Sequence, residues 1–205
     1  MTEEKPHIII HRRSKRGEVS AASLQGIIQA AEARGYAIPG DCMVEMCHFF
    51  PQAKQAIFEW AEQSLSDKPP VEVGGFLLGQ YARSVGGKYQ LVIKHFVAAE
   101  EVSFQSANRL RLGPAALLTL DDALQAQSED VLLGWFHTHP GHTPFFSEID
   151  LATHQAFFKA DYLVAMVTDP CRENFPTVIL AKNQAGNMTV EWNDHEWIQW
   201  KDSEA

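Results

Sequence analysis

The stretch from Val131 to Asp150, VLLGWFHTHPGHTPFFSEID, constrains the fold more than any other. It opens as an apolar run, turns polar at His137, and is broken by Pro140-Gly141 and Pro144 before Ser147 begins a new pattern. The run reads as a strand over Val131 to His139, and Glu148 to Phe158 reads as a helix with Ser147 at its cap. The chain must therefore leave a sheet, cross a short proline-stiffened loop and enter a helix, with its polar groups gathered at the junction. Side chains two apart in a strand share a face, so His137 and His139 point the same way with Cα atoms roughly 6.5 to 7 Å apart. Two imidazoles at that spacing converge on one ion. Asp150, in the first helical turn, adds an oxygen to make a nitrogen, nitrogen, oxygen set suited to zinc with a fourth position open to water. A plainer reading stands beside this one, since Ser147-x-x-Asp150 is also a helix-capping arrangement that needs no metal.

Around this segment the chain alternates irregularly. Ser20 to Gly35 reads as a helix with Leu24, Ile27, Ile28 and Ala31 on one stripe and Gly35 as its stop. Pro39-Gly40 punctuates the chain, and denser hydrophobicity begins at Met43. The expected organisation is an N-terminal extension over 1–40 and one domain over 41–205. Further helices are expected at Pro51 to Leu65, opened by proline with Ile57, Trp60, Ala61 and Leu65 inward, and at Pro114 to Gln127. Strands are expected at Met43 to Phe49, Val71 to Tyr81, Lys88 to Ala98, Tyr162 to Thr168, Thr177 to Lys182 and Met188 to Trp192, with a hairpin at Gly86-Gly87. Such an order fits an α/β (α+β) fold, a mixed sheet flanked by helices, better than a doubly wound parallel sheet.

Composition narrows the function classes. At 205 residues, 45% apolar and 21% charged, the chain suits one domain with a substantial core and excludes a collagen, a coiled coil or a disordered polymer. No apolar run approaches the ~18 to 20 residues of a membrane span, and MTEEKPHIIIHRR lacks the pattern of a secretory signal, so the cytoplasm is the expected location and no membrane partner is expected. Cys42, Cys47 and Cys171 are odd in number and in no paired-ligand spacing, which favours reduced thiols. The net charge of −9 argues against nucleic acid as a partner. The distribution is uneven: Lys5, Arg12, Arg13, Lys15 and Arg16 make the first sixteen residues basic against an acidic body, the pattern of a solvated arm or a docking device.

The segment His137-Thr138-His139-Pro140, six residues, then Ser147-x-x-Asp150 resembles the signature of the JAMM or MPN-plus zinc metalloproteases. These include AMSH-type deubiquitinases and the isopeptidases of the proteasome lid and the signalosome. Their upstream glutamate commonly stands in E-x-G-G-x-L-x-G, and Glu72-Val73-Gly74-Gly75-Phe76-Leu77-Leu78-Gly79 matches that as well. The resemblance covers roughly residues 42 to 192 and implies a mixed, strongly curved sheet of the cytidine-deaminase-like kind. By position it implies that His137, His139 and Asp150 hold one zinc per chain, that Glu72 is the general base and that Ser147 stabilises the oxyanion. It further implies cleavage after the C-terminal tail of a ubiquitin-like modifier, as deconjugation or precursor maturation, with E1-like and E2-like pathway proteins as partners. A sulfur-carrier or other small-protein precursor is the alternative substrate, and a noncatalytic MPN scaffold the alternative role; retention of all five motif residues speaks against the scaffold.

The chain also departs from the AMSH pattern. Those enzymes hold a second zinc through a histidine soon after the motif aspartate and a later cysteine with histidines. Here Ala152 stands at the first position, and no histidine follows Cys171 until His195. A second zinc and the linkage selectivity built on it are therefore not carried over. Cys171 has no nucleophile's partner spacing, and His48, His95 and His195 have no partner pattern. His142 and His154 are candidates for substrate or supporting contacts, with His154 one turn beyond Asp150 and able to orient it. Phe145 and Phe146 read equally as an apolar wall for a substrate tail or as anchors of the loop.

Overall fold

The computed structural model describes residues 16–38, 40–99 and 113–191. Helix α1 (Ala21–Ala30) begins at Ser20, whose hydroxyl accepts the Ser23 N–H. Strands β1 (Arg34–Ala37) and β2 (Val44–Phe49) follow, then α2 (Pro51–Gln63), with proline at its first position as expected. A hairpin of β3 (Gly74–Arg83) and β4 (Tyr89–Ala98) turns at Gly86-Gly87. Then come α3 (Pro114–Ala126), β5 (Val131–Thr138), α4 (Glu148–Phe157), β6 (Val164–Thr168), β7 (Thr177–Lys182) and β8 (Met188–Glu191). Among the described residues, no helix is long and apolar enough to cross a membrane.

All eight strands form one mixed sheet in the order β1-β2-β4-β3-β5-β6-β7-β8, with β2–β4 and β5–β6 parallel and the other pairs antiparallel. The sheet is curled into a half-barrel, so that the entry to β2 meets the β7–β8 hairpin. Met43 N–H donates to Lys182 O at 2.7 Å, Gln184 N–H donates to Asp41 O at 3.2 Å, and Cys42 bridges Asn183. The central strand β3 is buried on both faces, which explains its apolar character, with Gln80 a polar side chain among its buried residues. Its residues alternate between two cores. Leu77 joins Ile57 and Ala61 of α2 with Ile93, Leu133 and Phe136, whereas Phe76 and Leu78 join Ala116 and Leu120 of α3 with Trp135 and Val167. α3 and α4, the latter through Leu151 and the following Phe158, thus cover one face, and α2 covers the other. β5 ends and α4 begins on the α3 side of the sheet.

The N-terminal part differs from expectation. Helix α1 stops at Ala30, Glu32 turns the chain with φ 51°, and Gly35 lies in β1 instead of ending the helix. A Cβ at Gly35 would come within 2.7 Å of the His48 ring, so glycine is needed there for close packing. β1 pairs with β2 across the position expected as a domain boundary near residue 40, and Leu24 and Ile28 of α1 pack on Ala82 and Val92. The described part of the extension is thereby built into the same sheet and core. Arg16 donates from its guanidinium to Ser128 O and, at 3.5 Å, to Leu124 O near the end of α3. Arg12, Arg13 and Lys15, with Trp192 and His195, lie outside the described residues. In α2, Ile57 and Ala61 are buried and Trp60 half-buried, but Leu65 lies past the helix end and is exposed.

Candidate metal centre

Strand pairing assembles the site. β3 runs antiparallel to β5 with Gly74 opposite His137, and the pairing continues one residue outward, where Thr138 N–H donates to Val73 O at 2.9 Å and Val73 N–H donates to Thr138 Oγ1 at 3.0 Å. One step further, Glu72 comes beside His139, with Oε1 3.6 Å from His139 Nε2. The second glycine of the E-x-G-G sequence has a packing cause: a Cβ on Gly75 would stand 2.4 Å from Val97 O and 2.6 Å from the Phe96 ring. Glu72 is 4% exposed.

The other wall comes from α4. Ser147 is its N-cap, and a capping box forms in which Asp150 N–H donates to Ser147 Oγ at 3.2 Å while Ser147 N–H donates to Asp150 Oδ2 at 2.7 Å. The Ser147 hydroxyl also donates to Asp150 Oδ2, at 2.6 Å. With Oδ2 so held, Asp150 Oδ1 faces His137 Nε2 at 3.4 Å, and Oδ2 lies 3.8 Å from His139 Nε2. The cap and the metal-ligand geometry are thus compatible in one carboxylate.

His137, His139 and Asp150 are all buried, and their ligand atoms lie within 4.8 Å of one another. Both ring nitrogens of His137 and Nδ1 of His139 are buried without a hydrogen-bond partner. Buried imidazole nitrogens left unpaired are costly, and a cation bound by two nitrogens and a carboxylate oxygen removes that cost for the nitrogens it takes up. The donor set therefore fits zinc. Electrostatics agree with the residue types. Burial, followed by the neighbouring His137, pushes the His139 pKa down to about 4, so its ring is neutral and its lone pair free at pH 7. Burial would raise the Asp150 carboxyl, but His137 and the Ser147 hydroxyl and N–H outweigh it and hold the pKa at about 2.

All five residues expected at the site are therefore brought together, whereas the accessory residues divide. Phe146 is buried in the core with its ring 6.1 Å from that of His137, so it anchors the loop. Phe145 is 49% exposed with its ring 4.8 Å from His139, an open apolar wall beside the site. His142 is exposed on the loop. The His154 ring makes no hydrogen bond to Asp150; its Nδ1 accepts the Trp135 indole N–H. Cys171 is exposed, and the Asp169 carboxylate beside it accepts the N–H groups of Cys171 at 3.0 Å and Gly141 at 2.9 Å. Sequence reasoning missed Asp169, a fully buried carboxylate that fastens the loop after His139 to the end of β6. Its only sequence signal is a carboxylate directly after an apolar strand, which gains meaning once β6 is known to lie beside β5.

Residues 52–193 match the family described as prokaryotic homologs of the JAB domain. This chain belongs to that family. The JAB-family chain is also similar to the 26S proteasome regulatory subunit RPN11 of Encephalitozoon cuniculi, 29% identical over 129 residues, which are 60% of this chain and 42% of that protein. With the 26S proteasome non-ATPase regulatory subunit 14 of Caenorhabditis elegans it shares 31% identity over 102 residues, 49% of this chain and 31% of the other. The chain thus spans less than half the length of these relatives. In fold it is similar to the solution structure of protein DSY2949 from Desulfitobacterium hafniense, with a TM-score of 0.50 at 19% identity, covering 70% of this chain and 88% of the other.

Proposed function

We propose that this JAB-family chain is a zinc-dependent isopeptidase or peptidase that cuts after the C-terminal tail of a ubiquitin-like modifier. The observation that carries the reading is the buried cluster of His137, His139 and Asp150, with the Glu72 carboxylate 3.6 Å from His139. In this reading the three clustered residues hold zinc, which when bound supplies Lewis-acid activation of water and of the scissile carbonyl. Glu72, nearly out of solvent at the rim of the same cluster, accepts the proton of the attacking water and delivers it to the leaving amine. Ser147 donates to the developing oxyanion. Its hydroxyl now serves Asp150 Oδ2, but the Ser147 N–H reaches the same oxygen, so the hydroxyl can turn away without leaving that carboxylate unpaired. Phe145 offers an apolar surface along which an extended tail can lie.

The test is cleavage of a ubiquitin-like fusion and of a lysine-linked conjugate by the zinc-loaded wild-type chain beside Glu72→Gln. The expected result is turnover by wild type only, with equal zinc in both proteins. Equal turnover by both would overturn the assignment of Glu72, and a wild-type chain that holds zinc but cleaves neither substrate would overturn the reading in favour of a scaffold.

A further inference from the structure

Metal-binding histidines ordinarily have their second ring nitrogen held by a carboxylate or carbonyl, which sets the plane of the ring. His137 lacks that device: its Nδ1 is fully buried and makes no hydrogen bond. Its plane is instead set by what lies against it, the Trp135 indole, with ring centroids 4.5 Å apart and planes 8° from parallel. Trp135 is in turn fixed by His154, whose Nδ1 accepts the indole Nε1–H at 3.1 Å.

These contacts form two rungs between β5 and α4. Asp150 and His154 are four apart on the helix, a rise of about 6 Å, and His137 and Trp135 are two apart on the strand, a rise of about 6.5 Å. The spacings match, so Asp150 meets His137 while His154 meets Trp135. Phe158 closes the stack, 5.3 Å from the His154 ring and 5.8 Å from Trp135. His154 is fully buried, and its Nε2 has no partner. A leucine of similar volume would fill this apolar place but would leave the buried Trp135 indole N–H without an acceptor, so the imidazole is here for that bond and not for packing alone.

We propose that His154 is a positioning residue for the metal centre: by accepting the indole N–H it locks Trp135, and the locked indole holds the His137 ring in its ligating plane. The inference rests on the reading of His137 as a zinc ligand. It is tested on the full chain by zinc affinity, measured by chelator competition, and by the visible spectrum of the Co(II)-substituted protein. Four variants are compared with wild type: His154→Leu, His154→Gln, Trp135→Phe and the double variant His154→Leu/Trp135→Phe. His154→Leu should bind zinc roughly 10 to 100-fold more weakly and shift the Co(II) bands. Trp135→Phe keeps a ring for stacking but lacks the N–H, and should lose a similar factor. The double variant should be no worse than either single one, because both remove the same bond. His154→Gln restores an acceptor and should recover most of the affinity, which a purely space-filling role would not produce. If His154→Leu fails to fold, Trp135→Phe and His154→Gln decide alone. Zinc binding by the Leu variant within about twofold of wild type, or losses that multiply in the double variant, would overturn the inference while leaving zinc binding by wild type intact. A wild-type chain that binds no zinc would overturn the proposed function, and this inference with it.

Discussion

Two buried carboxylates sit at opposite ends of β5, and their neighbours differ in kind. Asp130, at the entry to the strand and 1% exposed, meets the Lys94 ammonium at 2.7 Å and the His95 ring at 3.2 Å. Its charge is balanced by a cation from the chain itself. Asp150, beyond the far end, has imidazoles as its ion-pair partners among the described residues, and the pKa of one of them, His139, is pushed down to about 4. Glu72 adds a second carboxylate beside that neutral ring. A buried carboxylate with a lysine is a structural pair, whereas Asp150, set against His137 and the neutral ring of His139, belongs to a donor set that fits a cation. The difference in partner, not the burial of the acid, separates the structural end of β5 from the chemical one.

The sharpest way to break this contrast is His137→Ala. It should take bound zinc from about one per chain to near zero by elemental analysis, and activity with it. Unchanged occupancy would remove His137 from the site. Next in size, Glu72→Gln should keep its zinc and lose ~10² to 10⁴ in rate, since only the proton acceptor is gone. Ser147→Ala should cost roughly 10² to 10³ in rate and, because Ser147 is also the cap of α4, about 1 kcal/mol of stability in a thermal melt. At the other end, Asp130→Ala should lower stability by about 1 to 3 kcal/mol by leaving Lys94 unpaired, a fall of about 2 to 4 °C in Tm for each kcal/mol. Zinc content and rate per bound zinc should not change. A loss of metal in the Asp130 variant would show that the two ends of β5 are not independent.

What sequence could deliver depended on how much of each feature lay in one continuous stretch. β7 spans Thr177–Lys182 as the β-branched run indicates, and Pro51 opens α2 because its ring suits the first helical position. The His137, His139, Ser147 and Asp150 arrangement was legible because a strand end, a loop and a helix start set it locally. The place of Glu72 followed only from the family resemblance, since its nearness to His139 depends on which strand pairs with β3. β1 gave no readable pattern: four residues with one buried side chain carry too little periodicity, and Gly35 reads as a helix stop until His48 is known to press against it. Asp169, and the bond between Trp135 and His154, depend on β6 lying beside β5 and on α4 docking across it. Neither arrangement leaves a mark in a one-dimensional pattern.

The clasp between residues 41–43 and the β7–β8 hairpin sets an order of events during synthesis. β1 and β2 leave the ribosome before β7 and β8, yet the backbone groups that satisfy Met43 and Gln184 come from opposite ends of the sheet. Until β7 and β8 have emerged, the entry to β2 is an unprotected edge able to pair with another chain. The curl therefore ties the entry to β2 to a non-local pairing, and the nascent chain exposes that edge until the β7–β8 hairpin is translated.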